Sequence, residues 1–383
     1  MVPTSMGRIS LIKSDSLTQP EAARFDFLQG LRLRNYERHV ALLVERHGDS
    51  NAAGTRGKNR QISDSISKDP LYKFACGIQR HAQIMGWSET KAIVEQRSDQ
   101  FEEILANHPD QGAARLELND SIELPEYYTI HDSQGRDDIH LVPGGYWGDA
   151  LVGPVYELGG ALYRTNWRGG YSDSPPGSLI AFAEGAPEPE YQRVLDLGCS
   201  FGALTMAYRS VYPDAEEVVG IDLSEAALRW AHHIARGRDL NVKFEQRNAL
   251  STGYEDEDFD LVTGFLLLHE IPNDQLVTLL TEIFRILRPG GHVRFLDVPP
   301  YAALPPERAY LQSFDAWGNG EAYWDDFLST DLKALMEDVG FSNVGDGPLE
   351  YEEPGFKGSA ALMRTAEFRP ENRWITSATK LAN

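Results

Sequence analysis

Cysteine is scarce in this chain, with two in 383 residues, Cys76 and Cys199. So few, so far apart, exclude a disulfide framework or a cysteine-rich zinc cluster and suit a reducing compartment, so a cytoplasmic location is expected. Long apolar runs are missing as well. No stretch approaches the roughly 18 apolar residues of a membrane span, and Met1 to Ser10 has no apolar leader core. Positive charge is in deficit: 36 Lys and Arg stand against 58 Asp and Glu, a net charge of −22. Such a surface repels nucleic-acid phosphates and anionic lipid, so neither is expected as a partner. There is no internal repeat and no low-complexity tract. What remains, with 42% hydrophobic residues, is a globular chain long enough for two domains of ordinary size.

Against that background Val194-Leu195-Asp196-Leu197-Gly198-Cys199-Ser200-Phe201-Gly202 stands out. An apolar run ends in an acid, then comes a glycine-spaced turn and an amphipathic segment. That order predicts a buried strand, a tight loop and a helix N-terminus, where the backbone can approach a ligand and free N–H groups face it. Val218 to Ser224 repeats the theme of a strand ending in an acid. Its Asp222 lies about 20 residues past the turn, the spacing at which a carboxylate grips a ribose hydroxyl. Together the two point to a nucleoside cofactor. A dinucleotide is disfavoured: its pyrophosphate needs a glycine where Ser200 stands, and Asp196 would repel it. A ligand carrying an ammonium and a sulfonium suits Asp196 better. Serine fits this turn if its φ stays negative. Gly198-x-Ser200-x-Gly202 also matches a hydrolase nucleophile elbow. The only histidines after His232 and His233 are His269 and His292, however, and neither holds the late position that fold uses.

On these residues the chain resembles the class I S-adenosylmethionine (SAM) dependent methyltransferases, over roughly one domain's length from residue 190 to 365. Gly-Cys-Ser-Phe-Gly departs from the commoner Gly-x-Gly-x-Gly at its middle position. An α/β fold is expected: a doubly wound, seven-stranded Rossmann-like sheet with a mostly helical N-terminal region. Strands are predicted at residues 193–197, 217–222, 242–246, 259–267 and 292–297, alternating with helices at 203–210, 225–236, 274–287 and 330–339. Residues 342–346 and 359–364 would form the final, partly antiparallel pair. Upstream, helices are predicted at 20–46, 70–85 and 88–105, the last capped by Ser88, then a strand at 127–131 and a helix at 155–163. The expected divisions are a helical region (1–120), a glycine- and aromatic-rich connecting segment (121–189) and a SAM-binding domain (190–383) with a substrate lid near 298–328. The helical region is expected to pack on that domain or to form a homodimer.

The resemblance implies that Gly198, Ser200 and Gly202 line the methionine part of SAM, with Asp196 near its ammonium. Asp222 would accept from the ribose, Leu223 pack on the adenine, Asn248 and Ala249 read its edge, and the Phe265 carbonyl meet the ammonium. Three of these residues also have a plainer reading: Asp196 as a turn cap, Asp222 as a helix N-terminal acid ahead of Ser224, Asn248 as a turn residue. Methyl transfer is an in-line displacement, and a hydroxyl or protonated amine acceptor needs a base. His269, after the fourth strand, is the candidate base or hydrogen-bond donor, and Glu270 would orient it or begin the next helix. Substrate contacts are expected from Tyr301, Phe314 and Trp317 of an aromatic lid that also holds Tyr310, Tyr323, Trp324 and Phe327. Tyr146 and Trp147 would close the pocket from the N-terminal side, and Arg308 would meet a substrate carboxylate. Such rings suit a flat or apolar small molecule, though they equally suit packing on the N-terminal helices. His131, His140, Asp149, His269 and Glu270 are metal-ligand types without tight spacing, so no metal is expected. The expected function is SAM-dependent methyl transfer to a small aromatic or apolar molecule. The alternative is a protein of the same fold that binds SAM without transferring methyl, or has a non-enzymatic role.

Overall fold

The structure, a computed structural model, describes residues 17–47, 66, 68–106, 112–129, 139–145, 149–162, 177–304, 306–350 and 373–381. The chain begins with α1 (Gln19–Arg34), opened by a capping box in which the Thr18 N–H donates to Glu21 at 2.6 Å. A π-helical stretch, Asn35–Val40, carries it into α2 (Ala41–His47). The next helix, α3 (Pro70–Glu95), starts on an Asp69 cap with proline at its first position. Ser88 was expected to cap a separate helix; it lies inside α3 instead. Buried Gln83, Gly86, Trp87, Thr90, Ile93 and Val94 keep helical spacing straight through it, so packing outweighs the capping signal. The break falls just before α4 (Ser98–Ala106).

A short strand, β1 (Arg115–Glu117), is followed by α5 (Glu126–Thr129). The strand predicted at 127–131 is therefore a helical turn over its described part. The Tyr128 N–H closes that turn on the Pro125 carbonyl at 3.0 Å, and among the described residues no strand pairs with it. Then come α6 (Val152–Leu162) and α7 (Gly177–Glu184). From there strands and helices alternate as the sequence pattern requires: β2 (Arg193–Leu197), α8 (Ala203–Val211), β3 (Glu217–Asp222), α9 (Glu225–Gly237), β4 (Lys243–Gln246), β5 (Phe259–Phe265), α10 (Leu276–Ile286) and β6 (Leu287–Asp297). The lid region holds α11 (Pro306–Asn319) and α12 (Trp324–Leu328), and α13 (Leu332–Val339), β7 (Ser342–Pro348) and β8 (Trp374–Thr379) finish the chain.

The strands form one sheet in the order β1-β4-β3-β2-β5-β6-β8-β7. Pairing is parallel except for β8, which runs antiparallel to both β6 and β7. Among the described residues the sheet has eight strands where seven were expected. The extra one, β1, spans 3 residues, too few to show a periodicity, and it comes from the region read as mostly helical. The predicted strand at 359–364 lies outside the described residues, and β7 pairs instead with β8.

Both faces of the sheet are covered. Along β2 the side chains alternate: Val194 enters a core shared with α6, α7, α8 and α9, while Leu195 and Leu197 enter one shared with α10 and α13. The helical region is welded to the first of these cores by α6. A Cβ at Gly159 would lie 1.9 Å from the Trp87 ring of α3, and one at Gly153 would lie 2.3 Å from Trp230 of α9. Only glycine lets α6 pass between the two tryptophans. Among the described residues no helix is long and apolar enough to cross a membrane.

Candidate active site

The connections change direction at β2: one half of the sheet runs outward through β3 and β4, the other through β5 and β6. A crevice opens over the carboxyl ends of strands at such a point, and ligands bind there. The loop after β2 lines it with Gly198, Ser200 and Gly202 at φ of +60, +49 and +78°. The condition set for serine in this turn, a negative φ, is thus not met. The left-handed form costs a non-glycine residue about 1–2 kcal/mol. Here it aims the Ser200 N–H at Asp222 Oδ2, 2.8 Å away. A Cβ at Gly198 would lie 2.6 Å from Leu267 Cδ1, so that position also needs glycine for space.

Asp222 ends β3, and its Oδ1 accepts from the Ser224 N–H at 2.8 Å. Ser224 in turn caps α9 by accepting from the Ala227 N–H. Burial pushes the Asp222 pKa up, opposed by these backbone donors. Each carboxylate oxygen keeps a lone pair for a further donor. Asp196 is 1% exposed; its Oδ2 accepts from Thr205 Oγ1 at 2.6 Å, while its Oδ1 has no donor among the described residues. Burial, opposed by Thr205 and assisted by the Asp222 charge, raises its pKa to about 7. A buried, unmatched acceptor beside a second carboxylate calls for a cation with N–H groups. The ammonium of SAM has both properties, so the residues present fit that cofactor.

This has a pH signature. Binding a cation favours ionised Asp196, which must first lose its proton. SAM affinity measured by calorimetry should therefore strengthen between pH 5 and 7, approaching about tenfold per unit, and then level off. Asp196→Asn should flatten that slope, and a flat wild-type profile would remove the assignment. The cofactor-free chain should show the opposite trend. A carboxyl whose folded pKa is raised contributes stability below its unfolded value, and that contribution is lost as pH rises through about 7.

Asn248 Oδ1 accepts from the Leu250 N–H at 2.9 Å, so the plain turn role is realised, with one lone pair left over. Ala249 packs half-buried beside it against the second core. Leu223 is held from below by Gln246, whose Nε2 donates to its carbonyl at 2.9 Å. Phe265 ends β5 with its ring under the Arg373 guanidinium at 5.2 Å.

His269 sits on a helical turn, Leu268–Glu270, directly after β5. Its Nδ1 meets Asp297 Oδ1 at 2.5 Å, and Asp297 also accepts from the Leu268 and Val298 N–H groups. Burial disfavours charging of His269, but Asp297 outweighs it and raises the pKa to about 9. The Trp324 ring covers the imidazole, with centroids 4.6 Å apart. Glu270 does not begin a helix. Its Oε1 lies 3.7 Å from His269 Nε2 and 3.0 Å from His140 Nε2. His140 also lies 3.0 Å from Glu321 Oε2. Burial works against the charge on both Glu270 and His140, yet mutual attraction prevails, lowering the glutamate pKa and raising that of the histidine.

Several expected substrate contacts fall elsewhere. Phe314 is fully buried in the helical core, edge-on to Tyr36 at 5.8 Å, so it has no surface left for a ligand. Trp317 is half exposed under the Arg80 guanidinium. Both rings seat the lid on α3 rather than line a pocket. Tyr301 stays within the lid, its hydroxyl donating to Asp325 at 2.5 Å. Tyr146, Trp147, His131 and the Arg308 side chain lie outside the described residues. Asp149 pairs with Lys91 at 3.2 Å. Sequence reasoning passed over Asp297 and Glu321, and it named His140 only as a metal-ligand type without tight spacing. Asp297 ends a strand in an acid much as Asp196 and Asp222 do, so a signal existed for it; none existed for Glu321.

A family described as a methyltransferase domain matches residues 194–291. The demethylmenaquinone methyltransferase of Lactobacillus johnsonii is 31% identical over 167 residues, which are 39% of this chain and 68% of that protein. The ubiquinone/menaquinone biosynthesis C-methyltransferase UbiE of Yersinia enterocolitica is 30% identical over 171 residues, 40% of this chain and 67% of that one. Among solved structures, phosphoethanolamine N-methyltransferase 2 of Haemonchus contortus in complex with S-adenosyl-L-methionine aligns with a TM-score of 0.43 and 16% identity, over 68% of this chain and 61% of that one.

Proposed function

The chain belongs to the class I SAM-dependent methyltransferases, and on that footing we propose that it methylates a small aromatic or apolar molecule beside His269. The observation that carries this reading is the buried Asp297–His269 pair at the mouth of β5 and β6, roofed by Trp324. SAM supplies an electrophilic methyl on its sulfonium. Asp196 and Asp222 would hold the cofactor's ammonium and ribose, and the loop with left-handed Gly198, Ser200 and Gly202 would bring the backbone close to its methionine part. Asp297 occupies His269 Nδ1 and leaves Nε2 facing the acceptor; with its pKa raised to about 9, the ring acts at neutral pH as a hydrogen-bond donor and takes a proton only as the pH approaches that value. Trp324 offers a flat apolar wall, and its Nε1 is buried without an acceptor among the described residues, a donor for one polar group on the substrate. Curated relatives named for quinone biosynthesis support an acceptor of this ring-bearing kind.

The test is direct. The purified chain is incubated with methyl-labelled SAM and a panel of phenols, quinols and small amines, and label is followed into product. Transfer to ring-bearing acceptors, with one S-adenosylhomocysteine released per methyl, is expected. Tight SAM binding without transfer to any acceptor would reject the reading.

A further inference from the structure

We propose that His140, Glu270 and Glu321 form a binding site for one first-row divalent cation of the Mn2+, Fe2+ or Zn2+ class. The three side chains come from distant parts of the chain: the connecting segment, the turn after β5 and the residues following α11. Their donor atoms all lie within 4.8 Å of one another. His140 Nε2 is 3.0 Å from Glu270 Oε1 and 3.0 Å from Glu321 Oε2. Metal–nitrogen and metal–oxygen bonds of about 2.1 Å at right angles place neighbouring donors about 3.0 Å apart, so both separations suit one shared ion. Imidazole with carboxylates is the donor set these ions accept.

Hydrogen bonding alone leaves the cluster unsatisfied. A single Nε2–H points in one direction and serves one carboxylate. Glu321 Oε2 is buried, and the nitrogen 3.0 Å from it is the same His140 Nε2 that Glu270 approaches, at an angle that makes no good hydrogen bond to Glu321. With Asp297 paired to His269 close by, three carboxylates face two imidazoles, so a divalent cation could take over the charge balance that a protonated His140 otherwise supplies. The backbone is shaped for the task. His140 is held at φ +54°, its N–H donating to the Gly320 carbonyl at 3.3 Å and its own carbonyl accepting from Gln83 Nε2 at 3.1 Å. Strained positions fixed from two sides in this way cluster at functional sites. A cation here would tie the connecting segment and the lid to the sheet, next to His269.

The experiment uses the full, untagged chain, stripped with chelator and then dialysed against Zn2+ or Mn2+, with the retained metal measured by elemental analysis. One cation per chain and a melting temperature that rises with cation concentration are expected. Glu321→Gln and His140→Ala should each weaken binding by about 100-fold or more and abolish the thermal shift. Retention of SAM binding by these variants would show that they fold. If one does not fold, the wild-type stoichiometry and thermal shift decide. No retained cation, or full binding in a variant carrying both Glu321→Gln and His140→Ala, overturns the site. SAM calorimetry on the same wild-type sample keeps this outcome separate from the methyl-transfer reading.

Discussion

Replacing Asp222 by alanine should weaken SAM binding by about 2–3 kcal/mol, roughly 30- to 150-fold, because two effects coincide. The first is loss of charge-assisted hydrogen bonds to the ribose hydroxyls. The second is local: the same carboxylate accepts from the Ser200 and Ser224 N–H groups, so it holds the cofactor loop against the start of α9. Without it the left-handed Ser200 loses the bond that offsets its strain. Asp222→Asn keeps one acceptor oxygen and should recover part of the loss. Calorimetry with SAM and S-adenosylhomocysteine reads the effect, and circular dichroism checks the fold. An affinity within twofold of wild type would mean that the ribose lies elsewhere.

Removing His269 should act on turnover and spare the cofactor. A positioned acid or base contributes about 10²–10⁴-fold, so His269→Ala should lower kcat by that factor while the SAM dissociation constant stays within about threefold. Asp297→Asn should follow it closely, since an amide would impose the wrong imidazole tautomer while still filling the space. Asp297 also accepts from the Leu268 and Val298 N–H groups, so some loss of thermal stability should accompany the catalytic loss in that variant. Equal losses of kcat and cofactor affinity in His269→Ala would give the ring a structural role instead.

The cofactor crevice was legible because its parts are contiguous in the chain. An apolar strand, a glycine-spaced turn and an amphipathic helix announce themselves within about 20 residues, and the acids at the strand tips fall at fixed places in that pattern. The lid was harder. Its aromatic residues were visible, yet Phe314 and Trp317 turned out to seat α11 on the N-terminal helices while Trp324 faces His269. A ring's hydrophobicity says that it will be covered, not by what.

Local order therefore determined the alternating α/β layers, the strand-end acids and the nucleoside-binding turn, since each depends on residues a few positions apart. Tertiary structure alone decided that β1 and β8 extend the sheet, that Asp297 seizes His269, and that His140 meets Glu270 and Glu321. Those partners are joined only by closing long loops around two hydrophobic cores. No short-range spacing records which distant side chains such closure brings within bonding distance.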